Sequence, residues 1–223
     1  MIKKAFLAVA IAGAVMTAQA ATVTQDFSTV DSLQAAGWVF TNASTPVGSA
    51  PTWAQGSVTS EFGGFDAQSG AANSYISANF SSTTEGGSLA NWLITPEFSA
   101  LYGATISFWL RGAGGGYLDQ IAYGFSNGSS AISDFVVGQT VTASTGAWTQ
   151  YTASIGPMSG SARFAIEYLG SYDSANAIGI DTMTFNIADA SGDVPEPASL
   201  AILAAGLIGI GAARRRQHRA PAA

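Results

Sequence analysis

The middle of this 223-residue chain reads as all-β, a two-sheet antiparallel β-sandwich of the jelly-roll kind. Three observations predict it. Apolar and polar residues alternate with period two in several short runs, as they do in strands with one buried face. Glycine-rich turn sequences separate those runs. An amphipathic helical period is almost absent, and 30–36 is the one helical candidate.

The first element is not part of the fold. Residues 1–20 have the layout of a secretory signal: Lys3 and Lys4, an apolar run over 5–15, then Ala18-Gln19-Ala20 before Ala21. Signal peptidase needs small residues at the first and third positions before the cut, so Ala18, Ala20 and Ala21 mark the cleavage site. The run is too short to span a bilayer. Residues 21–190 then form the β-sandwich domain, and 191–223 a linker and tail. Strands are expected at 23–27, 74–80, 91–95, 105–110, 119–125, 148–154, 163–168 and 178–185. Ile106, Phe108 and Leu110 share one face of their strand. Phe164, Ile166 and Tyr168 share one face of theirs, with Arg163 and Glu167 pointing outward. Glu85-Gly86-Gly87, 112–116, Asn127-Gly128 and Gly156-Pro157 supply the turns, 112–116 as a long hairpin connection.

Composition narrows the function. The apolar share is 48%, with the excess concentrated in 5–15 and 200–213. No cysteine is present, which removes disulfides and thiolate metal sites. Of eight basic residues only Arg111 and Arg163 fall between the two ends, against thirteen acids from Asp26 to Asp193, a net charge of −11 over residues 21–193. Such a surface repels phosphate backbones, so nucleic acid is excluded as a partner and divalent cations are the natural counterions. The single histidine, His218, lies in the tail, so the domain has no Ser-His-Asp triad, Cys-His pair or histidine zinc site. The glycine run 112–116 lacks the Lys-Ser/Thr of a phosphate-cradling loop. No Glu-x-Asp or Asp-x-Glu pair sets two acids on one strand face for glycoside hydrolysis. The chain therefore reads as a non-enzyme. Aromatics are the better lead, with five tryptophans and seven tyrosines. Trp109, set opposite Ile106, Phe108 and Leu110, and Trp53, in a loop-like Pro51-Thr52-Trp53, are the candidate ligand contacts; packing between sheets is the competing role for each.

The last element is a second address. Pro195-Glu196-Pro197 cannot continue a helix and stays extended. An apolar run over 200–213 follows, then Arg214-Arg215-Arg216. As a helix, 198–213 is about 24 Å long against a hydrocarbon core of about 30 Å, a marginal membrane span that snorkelling arginines extend. Arginines after the span keep that end cytoplasmic and the domain outside. This tail resembles the PEP-CTERM sorting signal. The resemblance implies an exosortase-type processing enzyme that reads the Pro-Glu-Pro box, cuts nearby and passes the protein on. It implies transient anchoring in the inner membrane of a Gram-negative bacterium that makes extracellular polysaccharide.

The domain carries a second resemblance. Asp26-Phe27, Gly37-Trp38, Asn73-Ser74-Tyr75-Ile76, the run from Asn91-Trp92-Leu93-Ile94-Thr95-Pro96 to Phe98, Ile106-Ser107-Phe108-Trp109 and Ile180-Asp181 together resemble the choice-of-anchor J group. That group is related to cleaved adhesin domains and, more distantly, to MAM-type jelly rolls. It implies a surface or matrix protein with an adhesin-like binding module, polysaccharide being one ligand class. A structural matrix component without a ligand and a carbohydrate-active enzyme are the alternatives. It also implies a structural calcium ion where the first strand meets the last, with Asp181 as the main ligand and Asp26 and the Asn73 side chain as helpers. Ser28 and Thr182 stand where further acids are frequent, which weakens that site. The competing role for Asp181 is a hydrogen-bonding turn cap.

Overall fold

In the computed structural model, residues 21–189 are described. The signal segment and the sorting tail lie outside the described residues. Fourteen strands follow one another: β1 (Ala21–Gln25), β2 (Val39–Asn42), β3 (Thr45–Val47), β4 (Ala54–Gln55), β5 (Ile76–Asn79), β6 (Thr83–Ile94), β7 (Phe98–Ser99), β8 (Ala104–Gly112), β9 (Gln120–Ser126), β10 (Val136–Val137), β11 (Val141–Thr142), β12 (Thr149–Ile155), β13 (Ser161–Ser171) and β14 (Ala177–Ile187). They make two sheets, and the named strand pairings within them are antiparallel. The first has the order β12-β8-β14-β5-β4, with β1 also on β14; the second has β10-β9-β13-β6-β2, with β11 on β9, β3 on β6 and β7 on β13. The predicted sandwich is the observed one.

Alternation places the core. Ile106, Phe108 and Leu110 of β8 face Phe164, Ile166 and Tyr168 of β13 between the sheets, and all six are fully buried. Burying such side chains stabilises the fold by roughly 1.5–3 kcal/mol each. The other face of β13 is not simply open. Ala165 joins Trp92 and Ile94 of β6 beneath Phe135 in a second, smaller cluster, so Glu167 is half-buried and burial pushes its carboxyl above the usual range. The expectation of outward, solvated charges on this strand holds only in part.

Three local expectations give way. Gly86-Gly87 does not end a strand: β6 runs through it, its first residues pairing with β3 across a register shift and its later ones with β13. Residues 112–116 make no hairpin, because β8 and β9 belong to different sheets and the segment carries the chain across the end of the sandwich. Gly114, Gly115 and Gly116 all have positive φ there, a path that glycine follows without strain. The helical candidate 30–36 is a single 3-10 turn at Val30–Ser32 and the turn after it, held by buried Val30 and Leu33.

Candidate functional site

The outward face of the first sheet is built by residues between the core positions. On β1, β14, β8 and β12 these are small hydroxyl or amide side chains, and the register aligns them. Thr22, Asn186, Thr105 and Ser154 form one row across four strands, and Thr24, Thr184, Ser107 and Thr152 form the next. Within the rows Thr22 Oγ1 donates to Asn186 Oδ1 at 2.9 Å, Thr24 and Thr184 hydroxyls meet at 3.2 Å, and Thr105 and Ser154 hydroxyls at 3.1 Å. Every one of these residues is exposed or half-buried, and none is charged.

Trp109 borders those rows. It is paired with Gln150 on β12 and Asp181 on β14, and its side chain is half-buried on the outward face, as alternation predicts. Beyond it the face is covered. Phe65 stacks on Tyr75 with ring centres 4.9 Å apart, Trp148 meets both edge-on, and the Arg111 guanidinium lies 4.6 Å from the centre of the Phe65 ring. Gly179 makes room for this lid, since a Cβ there would lie 2.8 Å from both aromatic rings. Trp53 is different. It is 4% exposed and packs in the main core, so the structure removes it from the ligand candidates. The loop-like Pro51-Thr52 sequence hid the short strand β4, which brings the indole inside.

Asp181 is fully buried, and three backbone N–H groups donate to its carboxylate: Gln68 and Ser69 N to Oδ2 at 2.8 and 3.1 Å, and Thr182 N to Oδ1 at 2.6 Å, while the Thr182 hydroxyl lies 3.0 Å from Gln68 Oε1 and 3.2 Å from Oδ1 with one proton to give. Burial raises its pKa, and those backbone bonds oppose the rise. The cap serves a visible purpose: it pins a surface loop to the bulge in β14, where Thr182 adopts φ 44. Asp26 is exposed and turns back on Ser28 N at 3.0 Å, which lowers its pKa. The Asn73 side chain is exposed, and its backbone carbonyl is bound by Gln55. Calcium takes six to eight oxygens with several charged ones, and here the one buried carboxylate is already engaged by three backbone N–H groups while Asp26 and the Asn73 side chain face outward. These residues do not fit the implied ion. Among the described residues no group of three or more His, Cys, Asp or Glu side chains could hold a metal.

Among the cavities formed by the described residues, three bear on paired-carboxylate chemistry. One of about 320 Å³ is apolar, with Val23, Trp38, Phe98 and Phe185 in its wall, and Glu97 is its single carboxylate. A second, of about 480 Å³, is lined by Ser81, Thr83, Tyr172 and one carboxylate, Glu85. The third, of about 170 Å³ beside Phe65 and Tyr75, has none. Paired-carboxylate chemistry has no site in any of the three.

Residues 193–216 match the PEP-CTERM protein-sorting motif. The chain carries a PEP-CTERM sorting tail. That motif marks an exported protein sorted to the cell surface. It takes in Pro195, Glu196, Pro197 and Arg214 to Arg216, the residues on which the resemblance rests. No curated protein matches the sequence. Among solved structures, the domain of this PEP-CTERM protein is similar to the K1 cleaved adhesin domain of Lys-gingipain from Porphyromonas gingivalis W83, at 16% identity over 76% of this chain and 99% of that one, with a TM-score of 0.56. The K2 cleaved adhesin domain of Lys-gingipain is similar at 18% identity over 75% and 100%, with a TM-score of 0.55. The expected likeness to cleaved adhesin domains therefore holds for the fold.

Proposed function

We propose that the domain is a non-catalytic binding module, and that the outward face of its first sheet engages a neutral, polyhydroxylated polymer, an extracellular polysaccharide. The carrying observation is the pair of registered rows, eight uncharged side chains across four strands in a stretch, 21–193, of net charge −11. Hydroxyls both donate and accept, so a sugar hydroxyl meets a partner in either orientation. Trp109 at the border supplies an apolar face for a pyranose ring, and Gln150 beside it a further donor and acceptor. In the same reading signal peptidase cuts after Ala20 and the run 200–213 holds the protein in the inner membrane of a Gram-negative host. An exosortase-type enzyme then transfers it outward.

A glycan array with the purified protein tests the proposal. The expected result is binding to neutral polysaccharide that weakens about tenfold or more in Trp109→Ala, a loss of about 1.4 kcal/mol, with the melting curve of the fold retained. Binding to no glycan would leave the ligand-free matrix component as the better reading.

A further inference from the structure

Gln55 stands at the end of β4, paired with Ile76, and its side-chain amide reaches the place where the first strand leaves the sheet. The two Nε2 protons go to Asn73 O at 2.6 Å and Phe27 O at 2.8 Å, with Tyr75 O beside them at 3.3 Å. Oε1 accepts from Val30 N at 2.9 Å. One side chain thus ties together the residues after β1, the 3-10 turn and both sides of the step into β5. Phe27, which it holds, is fully buried and has φ 52, a left-handed conformation that a non-glycine residue keeps only when its surroundings enforce it.

Three carbonyl oxygens converge there, and although Asn73 O also accepts from Tyr75 N at 2.8 Å and Tyr75 O from Gly56 N at 2.7 Å, their combined negative partial charge favours a positive group among them. Here that group is the partly positive NH2 of an amide. Its orientation is fixed from the far side. Turning the amide over would set Oε1 against three carbonyls and Nε2–H against Val30 N–H, acceptor facing acceptor and donor facing donor. An incoming cation would have to force that turn, and Asp181, whose carboxylate is engaged by three backbone N–H groups, offers little in return.

We propose that Gln55 replaces the structural cation implied for this junction: a neutral amide clamps the carbonyls of Phe27, Asn73 and Tyr75, the domain is calcium-independent, and a carboxylate at this one position converts the junction into a calcium site. Melting of the full-length chain in millimolar calcium and in excess chelator tests it, with Gln55→Glu and Gln55→Ala alongside. The wild type should melt at one temperature in both. Gln55→Ala should melt lower by roughly 3 °C or more, equally in both. Gln55→Glu should melt lowest in chelator, four oxygens then facing each other unbridged, and regain several degrees in calcium. A wild-type melt that rises with calcium overturns the proposal even if neither variant folds. So does Gln55→Glu matching the wild type in chelator, or gaining nothing from calcium.

Discussion

Asp119 carries the least balanced carboxyl of the described residues. It is 2% exposed. Oδ1 accepts from the Tyr168 hydroxyl at 2.8 Å and from Asn176 N at 2.7 Å, while Oδ2 is buried with no partner. Burial raises its pKa above 3.8, with the bonds from Asn176 and Tyr168 opposing, and burial likewise raises the Tyr168 phenol. The folded protein therefore keeps the Asp119 proton to a higher pH than the unfolded chain does. As pH climbs through the ordinary carboxylate range the unfolded chain ionises first, so stability falls until Asp119 ionises in the fold and is level beyond. Asp181 shifts in the same direction and adds a slope of the same sign. The difference between wild type and Asp119→Asn isolates one residue. Urea unfolding at a series of pH values from about 4 upward should give a shallower decline in the variant, which has no proton to lose. Equal slopes in the two proteins would mean that Asp119 titrates normally.

At the scale of the element, strands with one buried face were plain in the sequence, and those made by contact were not. β8 and β13 announced themselves by alternation, and Phe108, Leu110, Phe164 and Ile166 are all fully buried. The strands β4, β7, β10 and β11 have two residues each, too few to show a period, and Trp53, just before β4, takes the packing role that competed with ligand contact. The hydroxyl rows left a trace in Thr22-x-Thr24, Thr105-x-Ser107, Thr152-x-Ser154 and Thr184-x-Asn186. Only register could assemble them, because a slip of one residue sends every side chain to the other face. Gln55 left no trace at all, since its three carbonyl partners belong to backbone 18 to 28 residues away along the chain. Close approach also decides where β10 lies. A Cβ on Gly124 would stand 1.9 Å from Val136 O, so only glycine lets β10 cross β9 there. Gly124→Ala should destabilise the domain by about 1–3 kcal/mol and speed hydrogen exchange at Gly138 N, which donates to Tyr123 O at 2.9 Å. Unchanged exchange at that amide would show that β10 is not held by this contact.

At the scale of the whole molecule, addresses and fold are written in different codes. Residues 21–189 are encoded by alternation and glycine; the addresses are encoded by the order of charge, apolar run and breaker. Charge divides the same way, with residues 21–193 at −11 and six of the eight basic residues at the two ends. On the proposed reading, an apolar run of marginal length ahead of three arginines would suit a segment held in the membrane until it is cut better than a permanent anchor, because a helix over 198–213 would be about 6 Å shorter than the hydrocarbon core. The Pro-Glu-Pro box precedes that run in the sequence, and its prolines disfavour a helical continuation. In a host with an exosortase the mature protein should therefore begin at Ala21 and lack the arginines of the tail, and intact-mass spectrometry reads both ends in one measurement. In a host without one, the same chain should keep Arg214 to Arg216 and fractionate with the membrane. Mature protein that still carries those arginines where the exosortase is present would show that the run is a lasting anchor, and the domain would then work at the membrane rather than beyond it.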